Sequence, residues 1–398
     1  MPQKSLRIAL VGAAGKVAAH CHLNALPMVE RAELVALCDL DSKRLEQLGA
    51  KHAVPKLYRD YQQVLEDSQI DAVDLAVPPF LHAPMTIAAA NAGKHVYVEK
   101  PMGRSVGEAK SMIAAAEAAG CTLMVGESYF YHGPQTLAHD LIAAGEIGQV
   151  VQVQMTQGPW IFAEAENQRL EGRGHGAPWR QDGELTGGGE FPWMGEYAPH
   201  LFATARRYVQ KRHIEKVNAM TRQRRPGCDG HTATVAGGSG SRWITSIGWV
   251  FEGGDTDGIW NYLETPPQAV RWLGCRSEIV GTRGTIRVFG EAGGAAPGFS
   301  QVAPITLYRD GTETHYDPNE GSDRSWQSNN SYYDHAHANT LRNFVESVLD
   351  GTPLRYDVQD GLHDLKATLA TIMSAMEQRA VALSEVNDEW TAYGSSDQ

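Results

Sequence analysis

The sequence predicts an α/β chain of two domains: a parallel sheet with helices on both faces, followed by a mostly antiparallel sheet. Three observations support this. The chain has 398 residues, more than one typical domain. Over its first third, short apolar runs alternate with segments of helical character. Beyond about residue 127 the texture changes to extended, partly alternating segments with hairpin punctuation. The expected boundary divides residues 1–127 from residues 128–398.

In the first part, "LRIALVG" (6–12) is a short apolar strand, with a helix beginning near Lys16. "ELVALCD" (33–39) is the next strand, and the helix after it opens on Asp41 or Ser42 as cap. "DAVDLAV" (71–77) precedes an Ala-rich helix that ends in Gly93. "HVYVEK" (95–100), the helix "SVGEAKSMIAAAEAAG" and the strand "TLMVGES" complete the alternation. Parallel sheets of this kind bind ligands at the carboxyl ends of their strands, and Lys100 stands at one such end.

In the second part, "PQTLAHDLIAAGEIG" is helical. Extended segments follow at 149–157, 214–223 and 242–253, in "HTATVAGG", and in "AVRWLGCRSEIVGTRGTIRVFG". "ITLYRDGTETHYD" is a hairpin turning at Asp310-Gly311, and two helices close the fold. Trp243, Trp249 and Trp272 lie in alternating segments and are expected on an uncovered apolar face, which would make the chain a homodimer or homotetramer.

Composition narrows the function. Net charge is −12 with no Lys/Arg block, which argues against nucleic-acid and membrane-surface partners. Five scattered cysteines fit a reducing compartment better than a disulfide framework. No signal-peptide pattern or membrane-length apolar run is seen, and the expected location is cytoplasmic.

The first turn, "VGAAGKVAAH", departs from the G-x-G-x-x-G spacing, because Ala14 and Val17 stand at the second and third positions. Gly12 and Gly15 still suit a strand–helix turn whose amides face a pyrophosphate, with Lys16 opening the helix. Asp39 ends the second strand, where an acid accepts both ribose hydroxyls and repels a 2′-phosphate. NAD is therefore favoured over NADP, which Lys43 and Arg44 keep open. Asp39 could otherwise serve as a helix cap, but Asp41 and Ser42 are available for that.

"AVPPFLHAPMTIAAANAGKHVYVEKPM" resembles the signature of the Gfo/Idh/MocA oxidoreductases. So do "APWRQDGELTGGGE", "IAAGEIGQV" and "NFVESVLDGTPLRYDVQDGLHDL", and the resemblance runs from about residue 6 to 385. It implies a Rossmann domain followed by a C-terminal α/β domain with an open-faced, mostly antiparallel sheet. It also implies hydride transfer between nicotinamide and a ring secondary alcohol of a sugar, sugar acid or cyclic polyol. Implied cofactor contacts are Gly12, Ala14, Gly15, Lys16 and Val17 in the first turn, and Asp39, Leu40 and Lys43 after the second strand. Val77, Pro78, Pro79 and His82 follow the next strand, and Glu99, Lys100 and Pro101 close the set.

In the family the lysine of the E-K-P motif lies beside the nicotinamide, which places Lys100 as the base. The chemistry agrees: oxidising an alcohol releases a proton, and a lysine beside a cationic ring has its ammonium form disfavoured. Pro101 would fix the chain direction through a cis bond, and Glu99 would orient Lys100 or hold the carboxamide end of the cofactor.

The family's Asp and His, four residues apart after the glycines, correspond best to Glu196 and His200. His200 is expected to partner Lys100, the alternative being a buried, hydrogen-bonded histidine. If the helix starts near Pro199, Glu196 precedes it and the two need not share a face. Further candidates for substrate contacts are Tyr129, Tyr131, Arg173, Trp179, Arg180, Tyr333 and His337. His335 and His337 are two residues apart, with no acid-and-histidine set at helical spacing beside them, and no metal is assigned. Two other readings stand beside the dehydrogenase: a glycosidase that recycles NAD through oxidation, elimination, hydration and reduction, and a cofactor-sensing binding protein without turnover.

Overall fold

The computed structural model describes residues 5–157, 178–223, 242–262, 276–289, 305–316 and 331–394. These divide into two compact units. The first comprises residues 1–128 and 334–365, the second residues 129–333 and 366–398. A late segment of the chain, residues 334–365, thus belongs to the first unit.

The first unit is built on strands β1 (Leu6–Val11), β2 (Ala32–Cys38), β3 (Lys56–Tyr58), β4 (Ala72–Leu75), β5 (His95–Glu99) and β6 (Leu123–Gly126). Their order is β3-β2-β1-β4-β5-β6, and every pairing is parallel. The order reverses at β1, the switch point at which such sheets open a crevice for ligands. The apolar runs are buried on both faces: Ile8, Leu10, Leu37, Val73, Val96 and Val98 have no exposed surface.

The connecting helices carry the expected end signals. Asp41 caps Ser42–His52 through the amide of Arg44, and Ser105 caps Val106–Ala119, which closes on Gly120 in the left-handed region. The segment after β1 departs from a regular helix. Ala18–His22 is a π-helical turn, a form that re-aims the side chains it carries. From the late segment, Phe344 sets its ring edge against Tyr97 of β5, and Arg31 pairs with Asp350.

The second unit holds a nine-stranded sheet. Its strands are β7 (Val150–Gln157), β8 (Ile214–Gln223), β9 (Arg242–Phe251), β10 (Asp257–Tyr262), β11 (Arg276–Gly281), β12 (Gly284–Phe289), β13 (Ile305–Arg309), β14 (Thr312–Tyr316) and β15 (Val381–Ala382). The order is β14-β13-β12-β11-β7-β10-β9-β8-β15. All pairings are antiparallel except β10 with β7. Asp310 and Gly311 both take positive φ in the β13–β14 turn, as a two-residue hairpin requires.

The tryptophans correct one expectation. Trp243 and Trp249 do not lie on an uncovered face: they are 6% and 2% exposed. Trp249 lies across Gly258 of the neighbouring strand, where an added Cβ would come within 2.1 Å of the indole, and meets Phe202 edge-on. Trp243 stacks on Trp193 at 5.2 Å. The helix Pro192–Tyr208 carries both Phe202 and Trp193, so these indoles face a helix of their own chain. Residues 269–275, Trp272 among them, and "HTATVAGG" lie outside the described residues. Among the described residues no helix is long and apolar enough to cross a membrane.

Candidate active site

Three segments meet at the carboxyl edge of the first unit's sheet. The turn after β1 begins at Gly12, with φ +78°. An added Cβ there would stand 2.5 Å from the carbonyl oxygen of Ala76, so the approach of this turn to the end of β4 requires glycine. Asp39, just past β2, accepts from the amide of Ala14 through Oδ2 (2.9 Å) and from that of Asp41 through Oδ1 (2.9 Å). Its carboxylate thus fixes the turn and remains half-buried at the mouth. Leu40 beside it is 84% exposed, and Lys43 and the turn residue Lys16 border the same edge.

The third segment is the end of β5. The Lys100–Pro101 peptide is cis, as expected. His82 braces it: its Nδ1 lies 2.7 Å from the Pro101 carbonyl oxygen, and its Nε2 2.8 Å from that of Val77. His82 is fully buried, which pushes its pKa down, while the two carbonyls that face its ring nitrogens at the start of the Pro78–Pro79 turn act against that shift. Lys100 is half-buried, and its amide donates to Glu99 Oε2 at 3.2 Å.

Beneath Lys100 lies a group that sequence reasoning missed. His22 is fully buried and bonds Asp74 through Nδ1 (2.8 and 3.0 Å to the two oxygens) and Glu99 Oε1 through Nε2 (3.0 Å). Burial opposes its charge, but the two carboxylates outweigh burial and raise its pKa to about 10. Burial likewise opposes the charge on Glu99, yet His22, His337 and Lys100 bring it down to about 2. Asp74 shifts the other way. It is enclosed completely, faces the Glu99 charge, and burial exceeds what His22 returns. His337, a substrate-contact candidate, sits here with its ring 5.7 Å from that of His22 and 2% exposed.

These shifts set a pH dependence. The His22 contribution to stability is complete below about pH 6.5 and is lost as pH rises towards 10. The Glu99 contribution is complete above about pH 4.5 and is lost as pH falls towards 2. Urea titrations should therefore show greatest stability between about pH 5 and 6.5. Above that, the extra native-state proton on His22 predicts a decline of ~1.4 kcal/mol per pH unit, and the raised pKa of Asp74 acts in the same direction. Stability that rises from pH 7 to 9 would contradict the assignment.

In the second unit, the helix Pro192–Tyr208 carries both Glu196 and His200. It starts seven residues before Pro199, because Pro192 takes the first helical position, where its missing N–H costs nothing. Pro199 sits in the interior and forgoes only the bond to the carbonyl of Gly195. Glu196 and His200 are therefore one turn apart on a common face, contrary to the arrangement expected from a start near Pro199. Both are buried, at 7% and 9% exposure. Glu196 pairs with Arg180, whose guanidinium lies 4.6 Å from the Trp179 ring. His200 stacks on Tyr129 at 4.0 Å and meets Tyr197 edge-on. Tyr131 is 1% exposed and sits against Phe130 in the core. The glycines before this helix permit close approach: a Cβ on Gly189 would stand 2.2 Å from the Ala392 carbonyl oxygen. Arg173 and the Tyr333 side chain lie outside the described residues.

The chain matches two family descriptions: "Oxidoreductase family, NAD-binding Rossmann fold" over residues 6–127 and "Oxidoreductase family, C-terminal alpha/beta domain" over residues 139–383. It belongs to the Gfo/Idh/MocA oxidoreductase family. Among curated relatives, D-apiose dehydrogenase of Paraburkholderia graminis is 40% identical over 108 residues, 27% of this chain and 29% of the relative. Levoglucosan dehydrogenase of Pseudarthrobacter phenanthrenivorans is 31% identical over 189 residues, 46% of this chain and 45% of the relative. The matches thus span less than half the length of these relatives.

Among solved structures, levoglucosan dehydrogenase with NADH and levoglucosan has a TM-score of 0.71 at 20% identity, covering 96% of this chain and 100% of that one. Apo scyllo-inositol dehydrogenase of Lactobacillus casei has a TM-score of 0.68 at 20% identity, with the same coverage. These likenesses show the fold.

Proposed function

We propose that the chain is an NAD-dependent oxidoreductase acting on a ring secondary alcohol of a sugar, sugar acid or cyclic polyol. The observation that carries this reading is the convergence of the Gly12 turn, Asp39 and Lys100 at one edge of a parallel sheet, at its switch point. The names of the relatives, D-apiose and levoglucosan dehydrogenases, support a carbohydrate substrate.

The residues fit the cofactor. The Gly12 turn lets the backbone pass close against the end of β4 at the switch point of the sheet, and Asp39 keeps lone pairs for ribose hydroxyls beyond its two backbone bonds. NAD, when bound, would supply the hydride acceptor. Lys100 would take the hydroxyl proton, with Glu99 fixing its backbone. We assign His200 as the second proton-handling group. Glu196, Arg180 and Trp179 offer paired charges and a ring face of the kind that binds sugar hydroxyls.

The test is a panel of sugars, sugar acids, polyols and aryl glycosides incubated with NAD, recording both NADH and released aglycone. NADH formed from a ring alcohol supports the reading. Aglycone release without net NADH would replace it with the NAD-recycling glycosidase. Binding of NAD with no turnover on any member would favour a sensor. Asp39→Ala should erode a preference for NAD over NADP in calorimetry, and equal affinity for both in the unmodified protein would remove Asp39 from this role.

A further inference from the structure

We propose that His22 is a positioning residue for the chemistry at Lys100: an imidazolium clamped between Asp74 and Glu99, it fixes the carboxylate that anchors the Lys100 backbone. The proposal rests on the reading of Lys100 given above.

Both ring nitrogens of His22 face carboxylate oxygens at 2.8–3.0 Å. With both carboxylates ionised, which only accept, each nitrogen carries a proton and the ring a positive charge. The π-helical turn Ala18–His22 delivers this side chain into the core, where it has no exposed surface. Glu99 spends one oxygen on His22 and the other on the Lys100 amide, which leaves a two-bond path from the imidazolium to the strand end.

The charged and titratable groups around His22 are Asp74 on β4, Glu99 and Lys100 at the end of β5, and His337 on the helix Ser331–Asp350, with the Tyr97 ring edge-on at 5.9 Å. The donor atoms of His22, Glu99 and His337 lie within 4.8 Å of one another, a spacing that also suits a metal ion. The direct Nε2···Oε1 bond at 3.0 Å, with Asp74 on the opposite nitrogen, favours the clamp.

Without the imidazolium, Asp74 and Glu99 would repel across an enclosed space, and Glu99 would lose its fixed orientation. A displaced base is costly, since small misplacements reduce rates by about 10²-fold. The uncompensated negative charge beside Lys100 would also favour its ammonium form.

His22→Gln should therefore lower kcat by about 10- to 100-fold. It should also move the ascending limb of the kcat–pH profile for alcohol oxidation to higher pH. Asp74→Asn removes a negative charge and should move the limb the other way. A loss of thermal stability in both variants with no movement of either limb would make the cluster structural only and overturn the proposal. Stoichiometric zinc in the purified protein, lost in His22→Gln, would overturn it in favour of a metal site. If neither variant folds, ¹H–¹⁵N spectra of the histidine-labelled unmodified protein decide. One histidine with both ring nitrogens protonated at pH 8 is expected, and its absence overturns the clamp. Failure of the Lys100 reading looks different: the imidazolium signal persists while Lys100→Met keeps full activity.

Discussion

Lys100→Met is expected to bind NAD with nearly unchanged affinity and to lose turnover by about 10²–10⁴-fold, the range of a positioned general base. Affinity should survive because the groups suited to the pyrophosphate and ribose stand on other elements, at the Gly12 turn and at Asp39 past β2. The backbone should survive too. The Lys100 amide bonds to Glu99, and the Pro101 carbonyl to His82, and neither bond uses the lysine side chain. Methionine keeps a stem of similar length, with sulfur in place of the Cδ methylene, and lacks the amine. Calorimetry with NAD and steady-state rates on a confirmed substrate check the two halves separately.

The second large effect is expected at His200. His200→Asn should lower turnover by about 10²-fold or more if the ring handles a proton. The stability cost should be small by comparison. The stack on Tyr129 is worth about 0.5–1.5 kcal/mol beyond the area it buries, too little to unfold a domain of ordinary stability. A thermal melt alongside the rate measurement separates the two effects. Glu196→Gln refines the outcome. In a dehydrogenase it should chiefly raise KM, because Glu196 is tied to Arg180 and one turn from His200. In a glycosidase that recycles NAD it would block elimination, and NADH would accumulate without aglycone release. A His200→Asn protein that folds and turns over normally would leave His200 as a buried histidine only.

Much of this was legible from the sequence. The alternation of apolar strands and helices showed a parallel sheet and five of its six strands, because strands buried on both faces read as continuous apolar runs, whereas the three-residue β3 leaves no such run. Gly12, Asp39 and Lys100 were visible because each sits at a strand end, where turn chemistry interrupts the apolar pattern. Other features were hidden for physical reasons. Period-two alternation shows which residues share a face of a sheet but not which face a helix covers, so Trp243 and Trp249 were placed outside when they are inside. The start of the helix Pro192–Tyr208 was obscured by two prolines seven residues apart, at most one of which can occupy a first turn. His22 carries no local mark in an Ala-rich segment, and only tertiary packing brings it to Glu99. Asp74 did leave a signal: an acid in the middle of the apolar run "DAVDLAV" requires a buried partner.

The central claim is that Lys100 accepts the proton as a ring alcohol is oxidised. Single-turnover NADH formation tests it most directly, with NAD-loaded protein mixed against a substrate carrying hydrogen or deuterium on the reacting carbon. NADH formation should be slowed by deuterium and accelerated with rising pH in the unmodified protein, and suppressed by about 10²-fold or more in Lys100→Met. Formation at the unmodified rate in Lys100→Met would contradict it.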